Sequence, residues 1–221
     1  MQKFDTPAPI SAVLNIPAGR IQIIAADRTD TTVEIRPANP SKSRDTKSAE
    51  QTEITYTDGI LRIHTPAADN QLLGHPGSVE ITIQLPTGSH IEAKTAAAEL
   101  RSVGRLGDIT FDGAYRHIKI DEAANVRLTA TDGDIEIGRL TGAAQITTAR
   151  GTIRITEAVT GTVELRTQSG DITVGAATGV SAGLDASTGY GRISNTLKND
   201  GTTALDIRAT TSHGDITARS V

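Results

Sequence analysis

From Ile91 onward, polar and apolar residues alternate in two short runs around a small corner, and this twelve-residue pattern recurs seven times. The copies read IEAKTAAAELRS from Ile91, ITFDGAYRHIKI from Ile109, VRLTATDGDIEI from Val126 and AQITTARGTIRI from Ala144. VELRTQSGDITV follows from Val163, LDASTGYGRISN from Leu184 and IRATTSHGDITA from Ile207. Within a copy, positions 1 and 3 are always apolar, position 10 is always Leu or Ile, and positions 2, 4, 9 and 11 are always polar. Period-two alternation in two runs predicts two half-buried strands per copy. Position 8 is Gly in five copies (Gly133, Gly151, Gly170, Gly191 and Gly214), which marks a corner of positive φ. Position 5 is Thr in five copies, where a hydroxyl can bond nearby backbone.

A strand pair this small cannot bury its own apolar face, so the copies are expected to stack, with equivalent strands about 4.8 Å apart. The predicted fold is all-β: a mostly parallel β-solenoid (β-helix) of seven regular rungs, right-handed by the general chirality of parallel crossovers. A β-sandwich of hairpins is the alternative, and it leaves the gapless register unexplained. Copies start 17 to 23 residues apart, so all length variation falls in the connections. These carry a second glycine column (Gly107, Gly142, Gly161, Gly179 and Gly201) in which Asn125 fills one slot, as Asn does in left-handed backbone.

Residues 1–90 keep the rhythm less strictly and read as an irregular β portion that begins or caps the solenoid; residues 91–221 form the regular part. LNIPAGRIQI echoes IQLPTGSHIEA, TTVEIR adds a strand, and EITYTDGILRIH reads as a hairpin around Asp58-Gly59. Two loops interrupt, PANPSKSRDTKSAE and PAADNQLLGHPG. The last copy ends at Ala218 with little chain after it, so Ile207, Ile216 and Ala218 are expected on an uncovered strand edge. Such an edge is a template for a second protomer, giving a homodimer through the C-terminal rung, or for another partner.

Composition sharpens this picture. Two Phe, three Tyr, one Met and no Trp leave an aliphatic core. The formal charge of −4 is spread along the chain and gives no nucleic-acid footprint. No run approaches the roughly 18 apolar residues of a membrane span. The opening MQKFDTPAPISAVLNIPAG lacks the apolar core of a signal peptide, so the expected location is cytoplasmic unless a segment has been trimmed. The absence of Cys excludes disulfides, thiolate metal sites and Cys nucleophiles.

The SGDITV-type strands, the IPAGRIQIIAADRTDTTVEIR opening, the TDGILRI hairpin and the corners at Gly107, Gly133, Gly170 and Gly214 resemble the bacterial putative-adhesin family of β-strand repeat proteins, a domain of unknown function. The likeness covers nearly the whole chain. It implies an all-β solenoid and a cell-envelope setting, and it brings no catalytic residues.

Candidate chemistry is sparse. Position 9 reads Glu99, His117, Asp134, Thr152, Asp171, Arg192 and Asp215. Thr152 and Arg192 would separate the acids by about 10 Å, too far for shared metal ligation, so they read as turn residues. The His residues at 64, 75, 90, 117 and 213 lack zinc spacing. Ser212, His213 and Asp215 share one tight corner and read as a polar turn, not a triad. No catalytic residue, metal or cofactor is assigned. Candidate ligand contacts are Tyr115, Tyr190 and His213, which share position 7; the two tyrosines would lie about 19 Å apart and touch only a long ligand. The polar outward columns offer no large apolar patch and no flat Thr array. The expected function is non-enzymatic: a rigid solenoid presenting polar faces to a protein or cell-envelope polymer, without nucleic-acid binding or membrane insertion. The alternative is a carbohydrate-binding or carbohydrate-active β-helix protein.

Overall fold

The computed structural model describes residues 1–66, 77–115 and 117–221, except the side chains of residues 114 and 115; most of PAADNQLLGHPG therefore lies outside the described residues. Among the described residues the chain is all-β apart from one short helix, and it divides into two compact units, Met1–Arg116 and His117–Val221. Among the described residues no helix is long and apolar enough to cross a membrane.

The first unit holds β1 (Gln2–Asp5), β2 (Ser11–Ala26), β3 (Asp30–Pro37), α1 (Ser43–Gln51), β4 (Glu53–Thr57), β5 (Ile60–His64), β6 (Val79–Pro86), β7 (His90–Val103) and β8 (Arg105–Tyr115). Copies one and two pair in parallel as the sequence predicts, with Ile91 opposite Ile109 and Ala93 opposite Phe111 on β7 and β8. On its other side β7 runs parallel to β2, with Ile91 opposite Ala12 and Leu100 opposite Ile21. That register reveals a further copy, AVLNIPAGRIQI, with Gly19 at position 8 and φ +135°. The echo between LNIPAGRIQI and IQLPTGSHIEA is not an equivalence. Pro17 and Gly19 lie inside β2, whereas Pro86 ends β6 and Gly88 turns the chain toward β7 with φ +82°.

β2 also pairs in parallel with β5 and then β6, so those two strands together form one more level. Antiparallel strands cover that level: β4 lies on β5 through the Asp58-Gly59 hairpin, β3 lies on β6, and β1 lies on β3. The segment PANPSKSRDTKSAE, expected to be a loop, contains α1 instead. Its Asp45 is 4% exposed, and its carboxylate accepts a hydrogen bond of 3.1 Å from the Ser78 N–H, tying the helix to the start of β6. A mixed-charge helix of this length has little intrinsic stability, so this tertiary tie overrides its weak propensity.

The second unit holds β9 (Ile118–Asp132), β10 (Ile135–Leu140), β11 (Ala144–Arg150), β12 (Ile153–Ala158), β13 (Gly161–Ser169), β14 (Ile172–Ala176), β15 (Ala182–Tyr190), β16 (Ile193–Thr196), β17 (Leu205–His213) and β18 (Ile216–Ser220). Their ladders are parallel, and the repeat register holds residue for residue: Val126 faces Ala144, which faces Val163. The alternating positions form an aliphatic core in which Ile137, Ile146, Ile155, Leu165 and Ile172 are fully buried.

The stacking order then departs from the sequence order. β13 pairs with β17, and β17 with β15; β14 pairs with β18, and β18 with β16. Copy seven is thus inserted between copies five and six. Ile207, Ile216 and Ala218, expected at an uncovered edge, are at most 1% exposed and lie on strands paired on both sides. The outermost copy is the sixth, whose β16 is exposed at every residue and whose Ile193 is 46% exposed.

Candidate functional site

The corner of the second unit is the region where repeat chemistry and candidate residues meet. Each position-8 glycine from Gly133 to Gly214 has φ between +131° and +156°. A Cβ at Gly170 would lie 2.1 Å from the Gly151 carbonyl oxygen, so the neighbouring copy occupies the space of a side chain. Position-5 threonines brace the same corner, as their sequence pattern suggests. The hydroxyls of Thr167, Thr211 and Thr188 donate to the carbonyls of Gly151, Gly170 and Gly214 at 3.2, 3.0 and 2.9 Å. Asn125, read as a left-handed position, instead accepts the Ala143 N–H through its side-chain oxygen at 2.9 Å.

Position 9 works the same way. The carboxylates of Asp134, Asp171 and Asp215 accept the backbone N–H of Thr152, Asp215 and Arg192, each at 2.8 Å. Because copy seven sits beside copy five, Asp171 and Asp215 are on adjacent levels, not the alternate ones expected. Their carboxylates are spent on backbone amides of the next copy. Among the described residues no cluster of three or more metal-ligating side chains forms.

At position 7 the stack runs Asp132, Arg150, Ser169, His213, Tyr190. Arg150 and Asp132 form an ion pair at 3.0 Å, and the Tyr190 ring stacks on His213 with centroids 5.1 Å apart and planes 11° apart. Tyr190 is 74% exposed and lies on the outermost copy, so its other ring face is open. The structure therefore joins two of the three candidate ligand contacts; the third, Tyr115, ends β8 in the other unit, and its side chain lies outside the described residues. Ser212 and His213 share a corner with Asp215, but the Asp215 carboxylate is directed at the Arg192 backbone and guanidinium, the latter at 3.6 Å.

The outward columns carry ion pairs between and within copies: Lys119–Glu136 at 3.1 Å, Arg139–Glu157 at 2.7 Å and Arg166–Glu164 at 2.6 Å. Exposed pairs of this kind contribute about 0–1 kcal/mol each. They also place acids and bases side by side on the polar face of the parallel strands. An open depression of about 310 Å³ in the first unit is lined by Asn15, Pro17, Lys94, Thr95, Ala96 and Asp112.

Among the described residues two acids are shifted, and both lie away from this corner. Hydrogen bonds from Arg28, then Lys3, hold Asp30 at about 2. The Thr202 backbone N–H, then Ser181, lowers Asp200 below the usual carboxylate range. Asp30 ties β1 to the start of β3, and Asp200 orders the connection through which the chain returns from copy six to copy seven.

Residues 13–219 match the family model described as Toastrack DUF4097. A structure from Bacteroides fragilis NCTC 9343, described as a putative adhesin, is 15% identical and matches 98% of this chain and 95% of that one, with a TM-score of 0.54. That likeness shows the shared fold. A putative cell adhesion protein from Clostridium sporogenes ATCC 15579 (14% identity, 100% and 98% coverage, TM-score 0.42) is more distant in geometry. So is a putative lipid binding protein from Parabacteroides distasonis ATCC 8503 (11% identity, 97% and 95% coverage, TM-score 0.41). No curated protein matches the chain.

Proposed function

The chain belongs to the Toastrack DUF4097 family, and from that premise we propose that it is a non-enzymatic interaction protein whose outward strand faces bind a protein or cell-envelope polymer. The observation that supports this most is the set of surface acid–base pairs between neighbouring parallel strands, including Lys119–Glu136 and Arg139–Glu157. Such a surface suits a long, polar partner that spans several levels, because charged contacts recur on neighbouring strands. The description of the Bacteroides fragilis relative as a putative adhesin agrees with this reading. On the same premise we take the parallel copies to wind right-handedly, the seven from residue 91 adding to the one at Ala12–Ile23.

The test is binding of purified envelope polysaccharides and of envelope protein fractions to the intact chain, beside the Arg139→Glu, Arg150→Glu variant. Salt-sensitive binding that the variant loses supports the reading. Release of new reducing ends from a bound polysaccharide overturns it in favour of a carbohydrate-active enzyme. A second reading, a glycan-binding module, draws on the open face of the Tyr190–His213 stack. Tyr190→Ala abolishes glycan retention under that reading and leaves it unchanged under the first.

A further inference from the structure

The outermost copy of the second unit has a geometry that selects a partner. In the corner series, Gly133 N–H donates to Arg150, Gly151 to Ser169, Gly170 to His213 and Gly214 to Tyr190; each amide reaches the carbonyl of the next copy outward. The equivalent donor of copy six, Gly191 N–H, has no such acceptor among the described residues.

The same parity fixes both edge strands. Leu205 N–H donates to the Ser181 carbonyl and Ile216 N–H to the Arg192 carbonyl. In a parallel ladder this turns the N–H and C=O groups of Leu184 and Ala186 on β15, and of Ile193 and Asn195 on β16, away from copy seven. Ala182 on the same side is already capped, because its N–H donates to Lys198 and its carbonyl accepts from the Asn199 side chain. The free edge therefore begins at Leu184. Its inward side chains are only partly covered: Leu184 and Ala186 are half-buried and Ile193 is 46% exposed, where their counterparts Leu165 and Ile172 are fully buried.

We propose that this edge pairs antiparallel with the same edge of a second copy of the chain, about a two-fold axis through the corner between Gly189 and Tyr190. Reversing the rung about its corner sets Ala186 opposite Ile193 and Leu184 opposite Asn195 of the other copy. All four residues present outward N–H and C=O groups, so each pair exchanges two hydrogen bonds, and inward side chains meet inward side chains. The charges agree with this register. Copy six carries one acid and one base on its strand positions, Asp185 before the corner and Arg192 after it. Two-fold pairing makes Asp185 of one copy the diagonal neighbour of Arg192 of the other, at roughly 7–8 Å between backbones and within reach of an arginine. The two-fold axis makes this contact twice, beside the Arg192–Asp215 ion pair within each chain, while a parallel, in-register partner would stack like on like.

The inference goes beyond the proposed binding of an envelope partner and uses a different surface, so either can fail alone. The chain has no Cys, which makes a register test clean. Ser187 is predicted to lie opposite Arg192 of the partner copy, and neither residue lies opposite itself. Under mild oxidation, an equimolar mixture of Ser187→Cys and Arg192→Cys chains is expected to give a covalent dimer several-fold faster than either variant alone. Light scattering of the unaltered chain is expected to give twice the chain mass at high concentration. Ile193→Lys is expected to return it to monomer without loss of fold, because that side chain is already half exposed. Charge reversal at Asp185 alone weakens the dimer, and the Asp185→Arg, Arg192→Asp double variant restores it. A monomer at all concentrations overturns the proposal and assigns the edge to blunting by Asn195 and Arg192. Equal cross-linking of each single variant with itself also overturns it, by excluding this register.

Discussion

The two units end their parallel levels in different ways. In the first, the level formed by β5 and β6 lies beneath β4, β3 and β1, and Phe4 and Tyr56 on the two flanking strands meet with ring centroids 5.3 Å apart. The covering strands are short and polar on their outer side, which is how natural sheets protect an edge. In the second, copy six has copy seven on one side and no strand on the other among the described residues. Burial follows the difference: Leu61, Ile63, Ile81 and Ile83 of the covered level are at most 1% exposed, whereas Ile193 of the uncovered one is 46% exposed. One repeat pattern therefore makes a closed boundary when antiparallel strands follow it and an available one when they do not.

Changes that confuse inner with outer copies break this comparison most severely. Ile216→Lys buries an unpaired ammonium in copy seven and is expected to cost about 4 kcal/mol or more, whereas Ile193→Lys, the same change in copy six, costs about 1 kcal/mol or less, both read from urea unfolding. Next comes the corner. Gly170→Ala drives a Cβ into the Gly151 carbonyl and is expected to cost about 3 kcal/mol. Gly201→Ala, at φ +98° with open space around it, costs about 1 kcal/mol in the same assay. Smaller still, Thr211→Val removes the bond to Gly170 inside the stack and is expected to cost about 1–2 kcal/mol; Thr188→Val, making the equivalent bond at the outer copy, costs less.

The smallest effect sits at the covered end and depends on pH. Asp30 titrates near 2 when folded, chiefly through Arg28 and then Lys3, against about 3.9 unfolded. Its contribution is therefore present above pH 4 and is lost as pH falls through 2. Asp30→Asn is expected to speed hydrogen exchange of the β1 amides at pH 7, with little difference from the unaltered chain near pH 2.

The alternation of apolar positions made the strands, their parallel register and the corner glycines legible, because burial on one face imposes a period of two. The stacking order was not legible from the pattern, since every copy offers a neighbour the same apolar face. A trace of it exists in the spacing. Copies two to five start 17 to 19 residues after their predecessors, but copies six and seven start after 21 and 23. Those longer connections carry the chain past an empty level and back into it. A second trace is Asn195 at an inward position, tolerable because copy six is outermost. The copy at Ala12–Ile23 was hidden by its Pro-Ala-Gly, which suggested a turn where the chain runs straight on. Of the corner residues, Tyr190 and His213 shared a column in the sequence. They belong to copies six and seven, which are neighbours in either order; the inserted order is what leaves Tyr190 on the outermost copy.

That order is tested most directly with paired cysteines in a chain that has none. Glu164 faces Arg208 across β13 and β17, while Asp185 lies one strand further on. Oxidation of the Glu164→Cys, Arg208→Cys variant is predicted to give an intramolecular disulfide, because adjacent strands lie about 4.8 Å apart. The Glu164→Cys, Asp185→Cys variant is predicted to stay reduced, its thiols being two strand spacings, about 10 Å, apart. Bridging in the second variant and not in the first would contradict the insertion of copy seven and return Ile216 to the open edge.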